Sequence, residues 1–174
     1  MSRLPRIVVP GAPHHVTQRG NRRERIFFRD EDYALYRSLM AEVCELNRTE
    51  VRACCLMPNH VHSLPVPQTA TGLAKAIGGT HRRPRVSYKA FFQGCFSSAA
   101  LDDKRLLAAA RHVALNPVKP KFVVEAETWP WSSTAPQVRK RGDSVFVVQP
   151  PFHRVGNSSA LLERNSAGSD RNTG

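Results

Sequence analysis

Residues 51–66 read VRACCLMPNHVHSLPV. VRACCLM (51–57) is rich in β-formers, Pro58-Asn59 breaks the run, and HVHSLPV (60–66) follows as a second strand. Pro65 fits it poorly, because proline donates no ladder hydrogen bond and belongs at edges or strand ends. Working outward, HHVTQRG (14–20) reads as a short strand ending at Gly20. DEDYALYRSLMAEVCEL (30–46) reads as an amphipathic helix: Tyr33, Tyr36, Met40 and Val43 form one stripe, joined by Leu39 and Leu46. Its acidic start suits the positive end of the helix dipole. Downstream, TGLAKAIGGTH (71–81) reads as a short helix and FFQGCF (91–96) as a strand or a turn. LDDKRLLAAARHVALN (101–116) reads as a helix capped by Asp102 and stopped by Pro117. The order β-α-β-β-α with a later helix is neither alternating βα nor all-helical. It predicts an α+β layer, a mostly antiparallel sheet with helices packed on one face.

A chain of 174 residues allows one domain with a real core. The charge is unusual: 26 Lys and Arg against 14 Asp and Glu, net +12. A domain this basic most often meets phosphate, in nucleic acid or at an anionic membrane; the alternative is a basic but inert surface. No stretch approaches the roughly 20 apolar residues of a membrane span, and the N-terminus has no apolar segment of signal-peptide length. A cytoplasmic protein is expected. Cys44, Cys54, Cys55 and Cys95 show no metal-knuckle spacing and read as small apolar residues. Residues 1–135 form the expected domain. The pattern weakens over 136–174, which is expected to be a weakly structured extension with a disordered tail.

His60 and His62 alternate along a strand and so share a face, with α-carbons about 6.5–7 Å apart. Two imidazoles so placed can converge on one divalent cation. The alternative is a pair of polar residues on a solvent-facing strand surface.

The flanking residues carry a resemblance. PGAPHHVTQRGNRRERIFFRDEDYALY (10–36), CLMPNHVH (55–62), FFQGCFSS (91–98), LLAAARHVALNPVK (106–119) and WPWSS (129–133) are similar to the HUH transposases with a single catalytic tyrosine. The closer likeness is to the bacterial branch associated with repetitive extragenic palindromes, and it covers about residues 3 to 135. The resemblance implies a ferredoxin-like α+β sandwich with His60 and His62 on a central strand. It implies cutting and rejoining of single-stranded DNA near hairpins. Magnesium or manganese would polarise the scissile phosphate, and a tyrosine would attack phosphorus. Asn116 aligns with the family's third metal ligand; asparagine before proline also suits a helix end.

The family's tyrosine lies four residues before that asparagine. Here the position is His112, and i, i+4 spacing puts both on one helix face. Three explanations compete. His112 is a further ligand or a surrogate nucleophile; or it is inert in a DNA-binding protein that cannot cleave by the family route; or another tyrosine, Tyr88 in the basic stretch, substitutes. Tyr33 and Tyr36 belong to the core stripe. A shortened segment between His81 and Phe91, Cys95 in place of the family's arginine, and Pro65 in the histidine strand are further departures.

Residues 1–29 hold seven arginines and one acid, and 75–89 hold five basic residues and no acid. Such clusters can follow a phosphate backbone. Gln18, Arg19, Asn21 and Arg22 can read base edges; Arg23, Arg82, Arg83 and Lys119 complete the candidate DNA contacts. Trp129 and Trp131 either stack on bases or pin the last ordered segment to the core. The expected function is therefore a transposase-type protein that binds single-stranded hairpin DNA as monomer or homodimer and, if active, cleaves and rejoins it. The alternatives are a catalytically inactive sequence-specific DNA-binding protein and a metal-dependent phosphodiesterase using water.

Overall fold

The computed structural model describes residues 7–82 and 91–134. The extension over 136–174, Arg83 and Tyr88 lie outside the described residues. Four strands, β1 (His14–Arg19), β2 (Thr49–Met57), β3 (His60–Pro67) and β4 (Ser97–Ala100), form one sheet in the order β2-β3-β1-β4. Every pairing is antiparallel. Helices α1 (Asp30–Leu46), α2 (Gly72–Arg82) and α3 (Asp103–Ala114) complete the chain order β-α-β-β-α-β-α. This is the expected α+β sandwich of ferredoxin-like topology.

Strand alternation divides the core in two. On one face Val61, Cys54, Leu56 and Val51 meet Tyr33, Tyr36, Met40 and Cys44 of α1 and Ala76 of α2, while Val16 packs with Leu73 and Ile77 of α2. On the other face Leu64, Ala53, Cys55 and Met57 meet Leu106, Ala109, Ala110 and Val113 of α3. The expected one-face packing thus describes α1 and α2, whereas α3 covers the opposite face. Its three inward alanines, Ala109, Ala110 and Ala114, let it lie close to the sheet. The β2 register shifts between Val51 and Cys54. That bulge keeps both residues on the α1 face, and adjacent Cys54 and Cys55 point into different halves of the core.

Pro65 is accommodated because β3 is paired there on one side only. It lies opposite Val51 of β2, whereas the β1–β3 ladder ends at Val16 and Ser63. The outer edge of β2 is covered by the segment after α3. Leu56 N donates to Trp131 O at 2.9 Å, Ser133 N to Cys54 O at 2.9 Å and Cys54 N to Ser133 Oγ at 2.9 Å. Trp131 stacks on Tyr33 with centroids 4.9 Å apart, and Trp129 Nε1 donates to Leu56 O at 2.9 Å. Both tryptophans therefore pin this segment to the core. Asp102 caps α3 as expected, accepting from Arg105 N at 2.8 Å. FFQGCF is a turn stitched to the end of β1: Asn21 N donates to Phe91 O and Gln93 N to Arg19 O. β4 follows it over SSAA (97–100), where no strand is expected from sequence.

Candidate metal and nucleic-acid site

The sheet face that carries α3 also carries His60 and His62. Register places Thr17 of β1 opposite His62, so alternation puts His15 and Thr17 on the same face. Across it, the last turn of α3 presents His112, and Asn116 follows just past the helix end. Four imidazoles gather there. The rings of His60 and His62 are 5.0 Å apart, His62 and His112 5.1 Å, and His15 and His62 5.2 Å. His62 lies deepest, at 4% exposure.

Asn59 fixes the state of His60. Its Nδ2 donates to Arg23 O at 3.2 Å, which leaves Oδ1 to accept from His60 Nδ1–H at 2.7 Å. With the proton on Nδ1, neutral His60 keeps a lone pair on Nε2. That nitrogen stands 2.9 Å from Asn116 Oδ1, which also carries lone pairs. At that distance either a hydrogen bond or a shared cation can join the two atoms. Ligands about 2.1 Å from a metal and at right angles lie roughly 3 Å apart. The pair therefore fits a divalent ion, with the oxygen donor that magnesium and manganese favour. Here His60, His62 and Asn116 would hold the ion, and its charge would polarise a bound phosphate oxygen.

The electrostatics keep the imidazoles neutral, the form that ligates metals. Burial pushes His62 down to about 3, and His60, His15, His112 and Arg19 add to the effect. Burial also lowers His60, against the raising effect of Asn116, with Arg19 and His112 lowering it further. His15 is lowered by burial and then by His112, and His112 by burial and then by Lys119. Lys119 Nζ stands 3.2 Å from His112 Nδ1.

The expected DNA contacts divide. Arg19, Asn21, Arg22 and Arg23 are exposed at the end of β1 and in the turn after it. Arg22 and Arg23 take left-handed backbone angles (φ 49° and 63°). The turn is tied to Pro58-Asn59 by Gly20 N donating to Asn59 O and Ile26 N to Pro58 O. The basic turn and the histidine strand are thus joined through Asn59. Gln18 departs from expectation. It shares the inward face of Val16, is 3% exposed, and donates from Nε2 to Gln93 O at 3.5 Å and Gly94 O at 3.4 Å. It braces the turn and presents no surface to a base. Arg82 ends α2, in the helical layer on the far side of the sheet from the histidines. Tyr33 and Tyr36 are buried in the α1 core. Sequence reasoning missed His15 and Asn59. His15 carried no sufficient sequence signal, since only the register of β1 on β3 brings it to His62, whereas Asn59 was signalled by its position directly before His60.

Residues 9–93 match the family described as transposase, IS200-like. Over that segment the chain is similar to the IS200-like transposases. No curated protein matches it. Among solved structures, it is similar to a REP-associated tyrosine transposase bound to a REP hairpin. The identity is 21%, covering 84% of this chain and 92% of that one, with a TM-score of 0.65. That likeness establishes a shared fold. A protein of Deinococcus radiodurans R1 described as a transposase is 15% identical, over 60% of this chain and 89% of that one, with a TM-score of 0.40. Among the described residues no helix is long and apolar enough to cross a membrane.

Proposed function

We propose that this protein binds single-stranded DNA hairpins of the palindromic-repeat type, holding a phosphate against a divalent ion on His60, His62 and Asn116, and that it does not perform tyrosine-type strand transfer. The observation that carries the second part is the side chain at position 112. A histidine faces the imidazole cluster where the resemblance calls for a tyrosine, and Tyr33 and Tyr36 are committed to the core on the opposite face. Binding is supported by the family match, by the net charge of +12 and by the exposed Arg19, Asn21, Arg22 and Arg23 beside the histidine strand. The hairpin is suggested by the structural relative, which was solved with one. Magnesium or manganese is the ion that the Asn116 oxygen favours.

The chemistry follows from the groups present. A phosphodiester resists attack because its own charge repels nucleophiles, and a cation on a non-bridging oxygen relieves this. With histidine at position 112 and no tyrosine facing the site among the described residues, the family's 5′-phosphotyrosine route has no nucleophile there. Water is the remaining oxygen nucleophile. A metal-dependent phosphodiesterase is therefore the second reading, favoured by the neutral imidazoles around the phosphate position, which can accept a proton from it.

Two measurements test the proposal. Labelled hairpin should bind more tightly than unrelated duplex, with strong salt dependence; equal affinity for the two would defeat the hairpin reading. A denaturing gel with manganese should show no covalent protein–DNA adduct for the wild type, and a wild-type adduct would defeat the claim about position 112. Free hydrolysed ends without an adduct, lost in His60→Ala, would establish the second reading instead.

A further inference from the structure

We infer that the chain holds a nitrogen-preferring transition-metal ion of the zinc class on His15, His62 and His112, a ligand set that shares only His62 with the proposed His60–His62–Asn116 site and takes it through Nδ1, the nitrogen facing His15. The three residues come from β1, β3 and α3, and one ligand nitrogen from each lies within 4.8 Å of the others. His15 Nε2 and His62 Nδ1 are already 3.1 Å apart. Nitrogens bound to one tetrahedral zinc at about 2.0–2.1 Å are roughly 3.3 Å apart. The His15–His62 edge therefore needs almost no movement, and closing the site requires only an approach by His112. That residue sits in the last turn of α3 and is only partly buried, so it has room to do so.

His60 does not belong to this set, because its nitrogens face Asn59 Oδ1 and Asn116 Oδ1 and it is not among the three residues whose ligand atoms converge. The donor chemistry separates the sites further. The group contains three imidazoles and no carboxylate. Magnesium demands oxygen ligands, whereas zinc, nickel and copper accept an all-imidazole set. Three protein ligands leave a fourth tetrahedral position for water or a phosphate oxygen. Position 112 thus supplies a ligand. Lys119 is its competitor: an ammonium donating to His112 Nδ1 occupies one lone pair and fixes the proton on Nε2.

The test is metal binding by the full chain, free of DNA. Cobalt(II) should give the visible absorption of a four-coordinate, nitrogen-bound ion, without a thiolate charge-transfer band, and zinc should displace it. His15→Ala, His112→Ala and His112→Tyr should each weaken zinc at least about tenfold, since each removes a direct ligand. Asn116→Ala should leave zinc affinity within about threefold, and Lys119→Met should strengthen it. His15→Gln serves if His15→Ala fails to fold by thermal melting. Unchanged zinc affinity in both the His15 and His112 variants overturns the inference, as does loss in Asn116→Ala equal to that in His112→Ala. Hairpin binding measured in chelator is independent: its loss counts against the proposed function, and zinc failure with hairpin binding intact counts only against this site.

Discussion

Acid should unfold this protein partly through His81, a histidine far from the metal candidates. His81 closes α2, packs on Phe92 with centroids 4.2 Å apart, and meets Tyr36 Oη through Nε2 at 3.0 Å. Burial pushes it from 6.5 down to about 4, and the Arg82 charge adds to that. The folded protein therefore keeps His81 neutral where the unfolded chain protonates it. Above pH 6.5 the two states bind the same number of protons there, and the residue leaves stability independent of pH. Below that the unfolded state takes up the proton first, so stability falls as the pH drops toward about 4. At pH 5 the difference corresponds to about 1.5 pH units of linkage, or about 2 kcal/mol at 1.36 kcal/mol per unit. The perturbation is His81→Gln, which can still hydrogen-bond Tyr36 but does not titrate. Urea denaturation in chelator at pH 7.5 and pH 5 gives the drop for each protein. The variant's drop should be smaller than wild type's by about 2 kcal/mol, whatever its absolute stability. Equal drops, within about 0.5 kcal/mol, would refute the assignment of acid sensitivity to His81.

Three further outcomes are expected. In Gly79→Ala the new methyl would lie 2.7 Å from Val43 Cγ1 of α1; thermal melts should show a loss of about 1–3 kcal/mol despite better helix propensity, and Val43→Ala in the same chain should recover part of it. Arg22→Ala and Arg23→Ala should each weaken hairpin binding and lower the slope of log affinity against log salt by about one; an unchanged slope would remove them from the phosphate contacts. Trp129→Phe removes the donor to Leu56 O, and denaturant titration should register a loss of about 1 kcal/mol or somewhat more.

The sequence was most legible where periodicity is strong. α1 spans Asp30–Leu46 and buries Tyr33, Tyr36, Met40 and Val43 as the apolar stripe predicts, whereas Leu46, expected to join that stripe, is 70% exposed at the helix end; the two strands around Pro58-Asn59 appear as β2 and β3. β4 was not legible, because Ser97–Ala100 carries no β-forming side chain and is held by pairing with His14–Thr17. The side of the sheet taken by α3 was equally hidden: its alanine-rich face fits any close apolar surface, and only the strand parity of Leu64 and Met57 selects it. The candidate site shows the same divide. His60 and His62 are neighbours by spacing alone, whereas His15 joins them through the pairing of Thr17 with His62, a register that spacing does not specify. Gln18 was within reach of sequence reasoning, since it alternates with apolar Val16 and must follow it inward.

The segment 129–133 bears on how the chain can be shortened. Its hydrogen bonds occupy the outward-facing amides and carbonyls of Cys54 and Leu56, in a strand whose central residues are almost wholly apolar. Removing it would leave an open strand edge, apolar over residues 53–57, of the kind that templates pairing with another molecule. A minimal soluble fragment of this protein must therefore run through Thr134, and one ended after α3 would be prone to self-association even if the histidine face were intact.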